Sequence, residues 1–148
     1  MITESDVEID APAAVVWEVF SDVQRWPEWT ASVTRLVALD GPELVAGNRF
    51  EIKQPRMPKL VWTVTEVSPG SLWTWAQRSP GGLTLARHEI IAESEARSRI
   101  HQRLEQSGPV GALVGLLMRS MTRRYLALEG EGLKARCEQL HRLDGPTP

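Results

Sequence analysis

The sequence contains a single cysteine, Cys137, which excludes an internal disulfide and any cysteine-based metal cluster. It has no apolar run approaching the ~18 residues of a membrane-spanning helix. Its first ten residues, MITESDVEID, combine no basic flank with an apolar core, so no secretory leader is expected and the expected location is cytoplasmic. Charge of one sign is also missing: 17 Lys and Arg against 19 Asp and Glu leave a net charge of −2, which gives no electrostatic case for a nucleic-acid partner. The chain carries no phosphate loop, dinucleotide fingerprint or nucleophile elbow. His88, His101 and His141 lack ligand spacing, so neither a metal nor a cofactor is expected. Without repeats or a linker-like shift in composition, the 148 residues suit one domain, expected over 1–143, with 144–148 as a flexible tail.

What the chain does have is tryptophan, three of its six falling between Trp17 and Trp29. Ile9–Val33 reads as a strand end, a Pro-started helix and a second short helix carrying Trp26, Pro27 and Trp29. Pro12 suits a first helical turn, which has no use for its missing N–H. Val16, Trp17 and Phe20 share one face of the helix that follows. So much apolar surface on elements this short needs a broad apolar partner.

Short segments with strand chemistry come next: 33–39, 49–54, 60–67, 72–77, 83–93 and 96–106, separated by turn residues. This spacing predicts an antiparallel meander. Pro109 then opens a long helix predicted to run to about His141. Its apolar stripe comprises Val110, Val114, Leu117, Met121, Tyr125, Leu128, Leu133, Cys137 and Leu140, and Gly130 and Gly132 are expected to bend it.

Ile9, Ala11, Pro12, Val16, Trp17, Asp22, Trp26, Pro27 and Trp29 stand in the order I-x-A-P-x-x-x-V-W-x-x-x-x-D-x-x-x-W-P-x-W. This resembles the opening of the START-like polyketide cyclase/dehydrase (SRPBCC) superfamily. The resemblance implies an α+β helix-grip fold: a curved antiparallel sheet of six to seven strands wrapped around a long C-terminal helix, with two short helices after the first strand. It also implies an internal cavity. That scaffold hosts carriers, cyclases, hydrolases and regulators, so the fold alone does not assign an activity.

Alternation nominates the residues facing such a cavity. Trp73 and Trp75 share one strand face, and Trp62 lies inward on the neighbouring strand. They read either as an aromatic wall or as plain core. His88, on a face with Thr84, Ala86 and Ile90, is a candidate acid/base or hydrogen-bond anchor, against the simpler reading of a histidine satisfied by a neighbour. In 97–106 the charged Arg97, Arg99, His101 and Arg103 must face water, which turns Gln102 and Gln106 inward. Leu117, Met118, Met121 and Tyr125 are the candidates from the last helix. Tyr125 is the second candidate for acid/base work, because a buried hydroxyl needs a partner.

The expected function is binding of a small hydrophobic ligand, aromatic, polyketide- or lipid-like. The alternatives are a polyketide cyclase/dehydratase-type enzyme using His88, and a regulator acting through a protein partner. A homodimer is left open.

Overall fold

Alternation of apolar and polar residues builds seven strands: β1 (Ile2–Ile9), β2 (Arg35–Ala38), β3 (Arg49–Lys53), β4 (Leu60–Ser68), β5 (Leu72–Ser79), β6 (Gly82–Ser94) and β7 (Arg97–Ser107). In the computed structural model, which describes residues 1–143, they form one antiparallel sheet in the order β1-β7-β6-β5-β4-β3-β2. The expected tail at 144–148 lies outside the described residues. β2 to β7 follow one another as a meander, and β1 returns to pair with β7, from Ile2 opposite Glu105 to Ile9 opposite Ser98. Irregularities between Val64 and Glu66 and between Ala92 and Ser94 bend and twist the strands. The concave face buries Phe50, Ile52, Trp62, Val64, Trp73, Trp75, Ala86, Ile90 and Ile100.

Helix α1 (Ala13–Ser21) starts after Pro12, which stands at the cap in extended conformation rather than inside the first turn. Val16 and Phe20 are buried, and Trp17 is half-buried. A 3-10 turn, Val23–Glu28, carries Trp26, and Trp29 caps it. Trp26 Nε1 donates to the Phe20 carbonyl at 2.9 Å, and the two rings stack at 5.5 Å. Trp73 supplies the apolar surface these elements need, its ring 4.7 Å from Phe20 and 6.1 Å from Trp26.

The C-terminal segment departs from the expected single helix. It consists of α2 (Pro109–Leu117) and α3 (Arg119–Leu143), separated at Met118. The break has a tertiary cause. The amides of Val110 and Gly111 both donate to the Gly81 carbonyl, at 2.9 and 3.2 Å, pinning α2 to the β5–β6 turn. A Cβ on Gly111 would stand 3.1 Å from Gly82 Cα, so this seat admits only glycine comfortably. α3 instead packs along β1 and α1.

Gly130 and Gly132 do not bend α3, which runs unbroken through both. They let the helix approach its neighbours: a Cβ on Gly130 would lie 2.6 Å from Val7 Cγ2, and one on Gly132 would run into the Trp29 carbonyl. The break also shifts the helical phase. α3 buries Leu126, Glu129, Gly130, Leu133 and Cys137, whereas Leu128 is half-buried and Val110, Val114 and Leu117 are exposed.

On the convex face, Arg97 is exposed, and Arg99 and Arg103 are half-buried beside acids of β1. Arg99 reaches Asp6 at 2.6 Å, and His101 contacts the same carboxylate at 3.0 Å. Among the described residues, no helix is long and apolar enough to cross a membrane.

Candidate functional site

β6 delivers His88 to the concave face, with Trp73 of β5 on one side and Gln102 of β7 on the other. The imidazole stacks on the Trp73 ring, centroids 4.1 Å apart and planes 10° from parallel. Phe20 and Trp75 approach edge-on at 5.4 Å and Trp26 at 5.9 Å. His88 is 4% exposed in this aromatic cage. Burial pushes its pKa down to about 3, against the opposing effect of a hydrogen bond with the Trp73 backbone. Its Nδ1 is buried without a hydrogen-bond partner. The ring is therefore neutral at neutral pH, with a nitrogen to spare.

The second ionisable group is Glu129 of α3, which sequence reasoning missed. It is 7% exposed, and burial raises its carboxyl to about 8. The Gln102 amide, which favours the charged form, lies beside it yet closes no hydrogen bond of good geometry. Glu129 is thus mostly protonated at neutral pH and can donate. The available signal was its place on the helix, three residues after Leu126 and four before Leu133, both buried.

These two groups line one inner chamber of about 100 Å³, walled by Trp26, Trp62, Trp75, Leu104, Tyr125 and Leu126. An outer chamber of about 410 Å³ adjoins it, lined by Leu60, Gln77, Thr84, Gln106, Val114, Met118 and Met121. Gln54, Met57, Trp62, Thr122 and Tyr125 border both. The outer chamber falls within the ~300–1,000 Å³ of small-molecule sites.

The expected site residues separate into distinct places. Trp75 and His88 line the inner chamber, Gln106, Met118 and Met121 the outer, and Trp62 and Tyr125 both. Trp73 is fully buried behind His88 and under α1, so it supports the wall without forming it. Gln102 is buried beside Glu129 and lines neither chamber. Leu117 is 75% exposed, turned outward by the phase of α2, and lines neither chamber. The Tyr125 hydroxyl donates to the Pro55 carbonyl, which ties α3 to the 54–58 loop and occupies the proton that acid/base work would need. Gln54, Met57 and Thr122 are further wall residues that alternation could not reveal, because two of them lie outside β3 in that loop. Among the described residues, no three His, Cys, Asp or Glu side chains converge to hold a metal.

A curved antiparallel sheet closed over by a terminal helix, with a cavity between them, defines the helix-grip, START-like class of proteins. Within that class the chain belongs to the polyketide cyclase / dehydrase and lipid transport family, whose model matches residues 2–138. Its fold is similar to that of the Zhui aromatase/cyclase from a Streptomyces species (TM-score 0.80, 14% identity, 99% of each chain covered). Norcoclaurine synthase from Thalictrum flavum, in complex with a transition-state analogue, superposes with a TM-score of 0.76 at 12% identity, over 94% of each chain. A START superfamily protein from Mycobacterium smegmatis gives 0.69 at 18% identity, covering 94% of this chain and 98% of that one. At these identities the likeness is one of fold. No curated protein sequence matches the chain.

Proposed function

We propose that this protein binds a small, uncharged hydrophobic ligand, aromatic, polyketide- or lipid-like, in the two-chamber cavity. The observation that carries this reading is an aromatic-walled inner chamber whose buried His88 and Glu129 are both held mainly neutral. Such a chamber favours burial of apolar ligand surface, at about 25 cal/mol per Å² before ordering costs. The hydrogen-bonding atoms of His88 and Glu129 would orient the ligand. Titration with 2-naphthol and related flat compounds should quench or shift tryptophan fluorescence saturably, because Trp26, Trp62 and Trp75 border the inner chamber. Native mass spectrometry of protein from its own host should show a small molecule travelling with it. The absence of saturable binding across the whole panel would refute the reading.

A second reading, cyclase or dehydratase chemistry, is favoured by the placement of a neutral base on the sheet and a neutral acid on α3 in the lining of one chamber. With a pKa near 3 His88 is a weak base, so it would take a proton from the carbon beside a carbonyl only if the carbonyl oxygen were protonated in concert. Glu129, retaining its proton to about pH 8, is the group able to supply it. Confinement would supply much of the remaining rate. The test is cyclisation of a reactive polyketone mimic. On this reading His88→Ala and Glu129→Gln each lower turnover by roughly 10²–10⁴-fold. Turnover equal to wild type in both variants would exclude the acid/base roles and leave the carrier.

A further inference from the structure

From Gln106 to Leu128 the chain contains no Asp or Glu, although 19 such residues make the whole protein net negative. The only charges in that stretch are Arg119, Arg123 and Arg124. All three are exposed, and none forms an ion pair among the described residues. Immediately before them lies α2, PVGALVGLL, which has no polar side chain at all. Its inner side, Val110, Gly111 and Val114, walls the outer chamber. Its outer side leaves Leu113, Leu116 and Leu117 in water at 56, 61 and 75% exposure. Burying them would recover free energy that the isolated protein forgoes.

We propose that α2 and the first turns of α3 dock the protein on an anionic lipid surface, with the leucines of α2 in the headgroup–acyl boundary and the arginines on lipid phosphates. A short uncharged helix next to a basic segment has the chemistry of an element lying in the plane of an interface. Three arginines near such a surface strengthen attachment by about a hundred-fold. A protein partner fits less well, because α2 offers none of the hydrogen bonds and aromatic anchors on which protein interfaces depend. A second copy of the chain also fits less well, since a two-fold contact through α2 would bring two sets of unpaired arginines together. Docking would turn the wall of the outer chamber toward the bilayer, so that an apolar ligand could pass between lipid and cavity without crossing water. That last step rests on the cavity reading. Attachment itself does not.

Co-sedimentation with sucrose-loaded vesicles, either pure phosphatidylcholine or mixed with phosphatidylglycerol, tests the proposal. Wild type should partition onto the anionic vesicles, weakly onto the neutral ones, and less as salt is raised. The double variant Leu113→Ser/Leu116→Ser should lose at least tenfold in partitioning. Arg119→Glu/Arg123→Glu should erase the preference for anionic lipid. All four side chains are exposed, and unchanged circular dichroism would confirm that both variants fold. Wild type remaining in the supernatant with both vesicle types, or either variant partitioning like wild type, would overturn the proposal. So would a wild-type dimer that the leucine variant dissociates in sedimentation velocity, which would make a second copy the occupant. Naphthol titration without vesicles is read separately: its failure beside intact vesicle binding counts against the cavity reading alone.

Discussion

Glu129 and His88 pull the folding equilibrium in opposite directions as pH changes. Glu129 has a folded pKa raised from 4.5 to about 8, so the folded state holds its proton longer than the unfolded chain does. Its contribution is complete below pH 4.5 and is lost as pH rises toward 8. His88 has a folded pKa lowered from 6.5 to about 3, so its contribution is complete above pH 6.5 and is lost as pH falls toward 3. Between 4.5 and 6.5 the two slopes cancel. Unfolding free energies from urea denaturation should therefore form a plateau there and decline above it by about 2 kcal/mol by pH 8. Glu129→Gln, which keeps the shape and removes the ionisation, should flatten the alkaline limb and make the variant the more stable protein at pH 8. An alkaline limb of the same steepness in the variant would show that Glu129 is not its source. Cys137, which burial pushes to about 12, adds nothing in this range.

At the scale of elements, the two glycines of α3 set how closely the helix grips the sheet and the 3-10 turn. Helix propensity alone would make Gly→Ala stabilising by about 1 kcal/mol. At Gly132 a Cβ meets backbone, the Trp29 carbonyl, so Gly132→Ala should instead lose about 2–3 kcal/mol in denaturant unfolding. At Gly130 the obstacle is the Val7 side chain, which can move, so Gly130→Ala should cost less. Equal, positive effects at both sites would show that the helix is not held this tightly. The same contacts explain what the sequence could and could not reveal. Strand alternation placed Trp62, Trp75, His88 and Gln102 inward because a period of two is fixed by the backbone. The helix stripe failed because its phase depends on the break at Met118, which is set by the seating of α2 on Gly81 and Gly82, more than thirty-five residues before that break. With the phase unknown, nothing in the sequence singled out Glu129, and Leu117 read as a cavity residue. The loop residues Gln54 and Met57 follow no periodicity, so their place on the chamber wall could be read only from the fold.

For the whole molecule, ligand binding and folding are linked, since a cavity ligand binds only the folded state. A ligand present at about 100 times its Kd adds about 2.7 kcal/mol, enough to raise the Tm of a protein this size by roughly 5–10 °C. Differential scanning calorimetry with the compounds that shift tryptophan fluorescence should show that rise, and its absence with a saturating compound would mean that binding lies elsewhere. The pairing of β1 with β7 bears on how this protein is made. Ile9 waits for Ser98 and Ile2 for Glu105, so β1 finds its neighbour only after β2 to β6 have been synthesised. The β5–β6–β7 hairpins can form beforehand from local contacts, whereas α1 has no finished surface to close over until α3 arrives. Closure of α1 and α3 over the sheet is therefore a late event, and a nascent chain stopped before β7 and α3 would carry an unpaired β1 and a half-covered core and fall to chaperones or proteases.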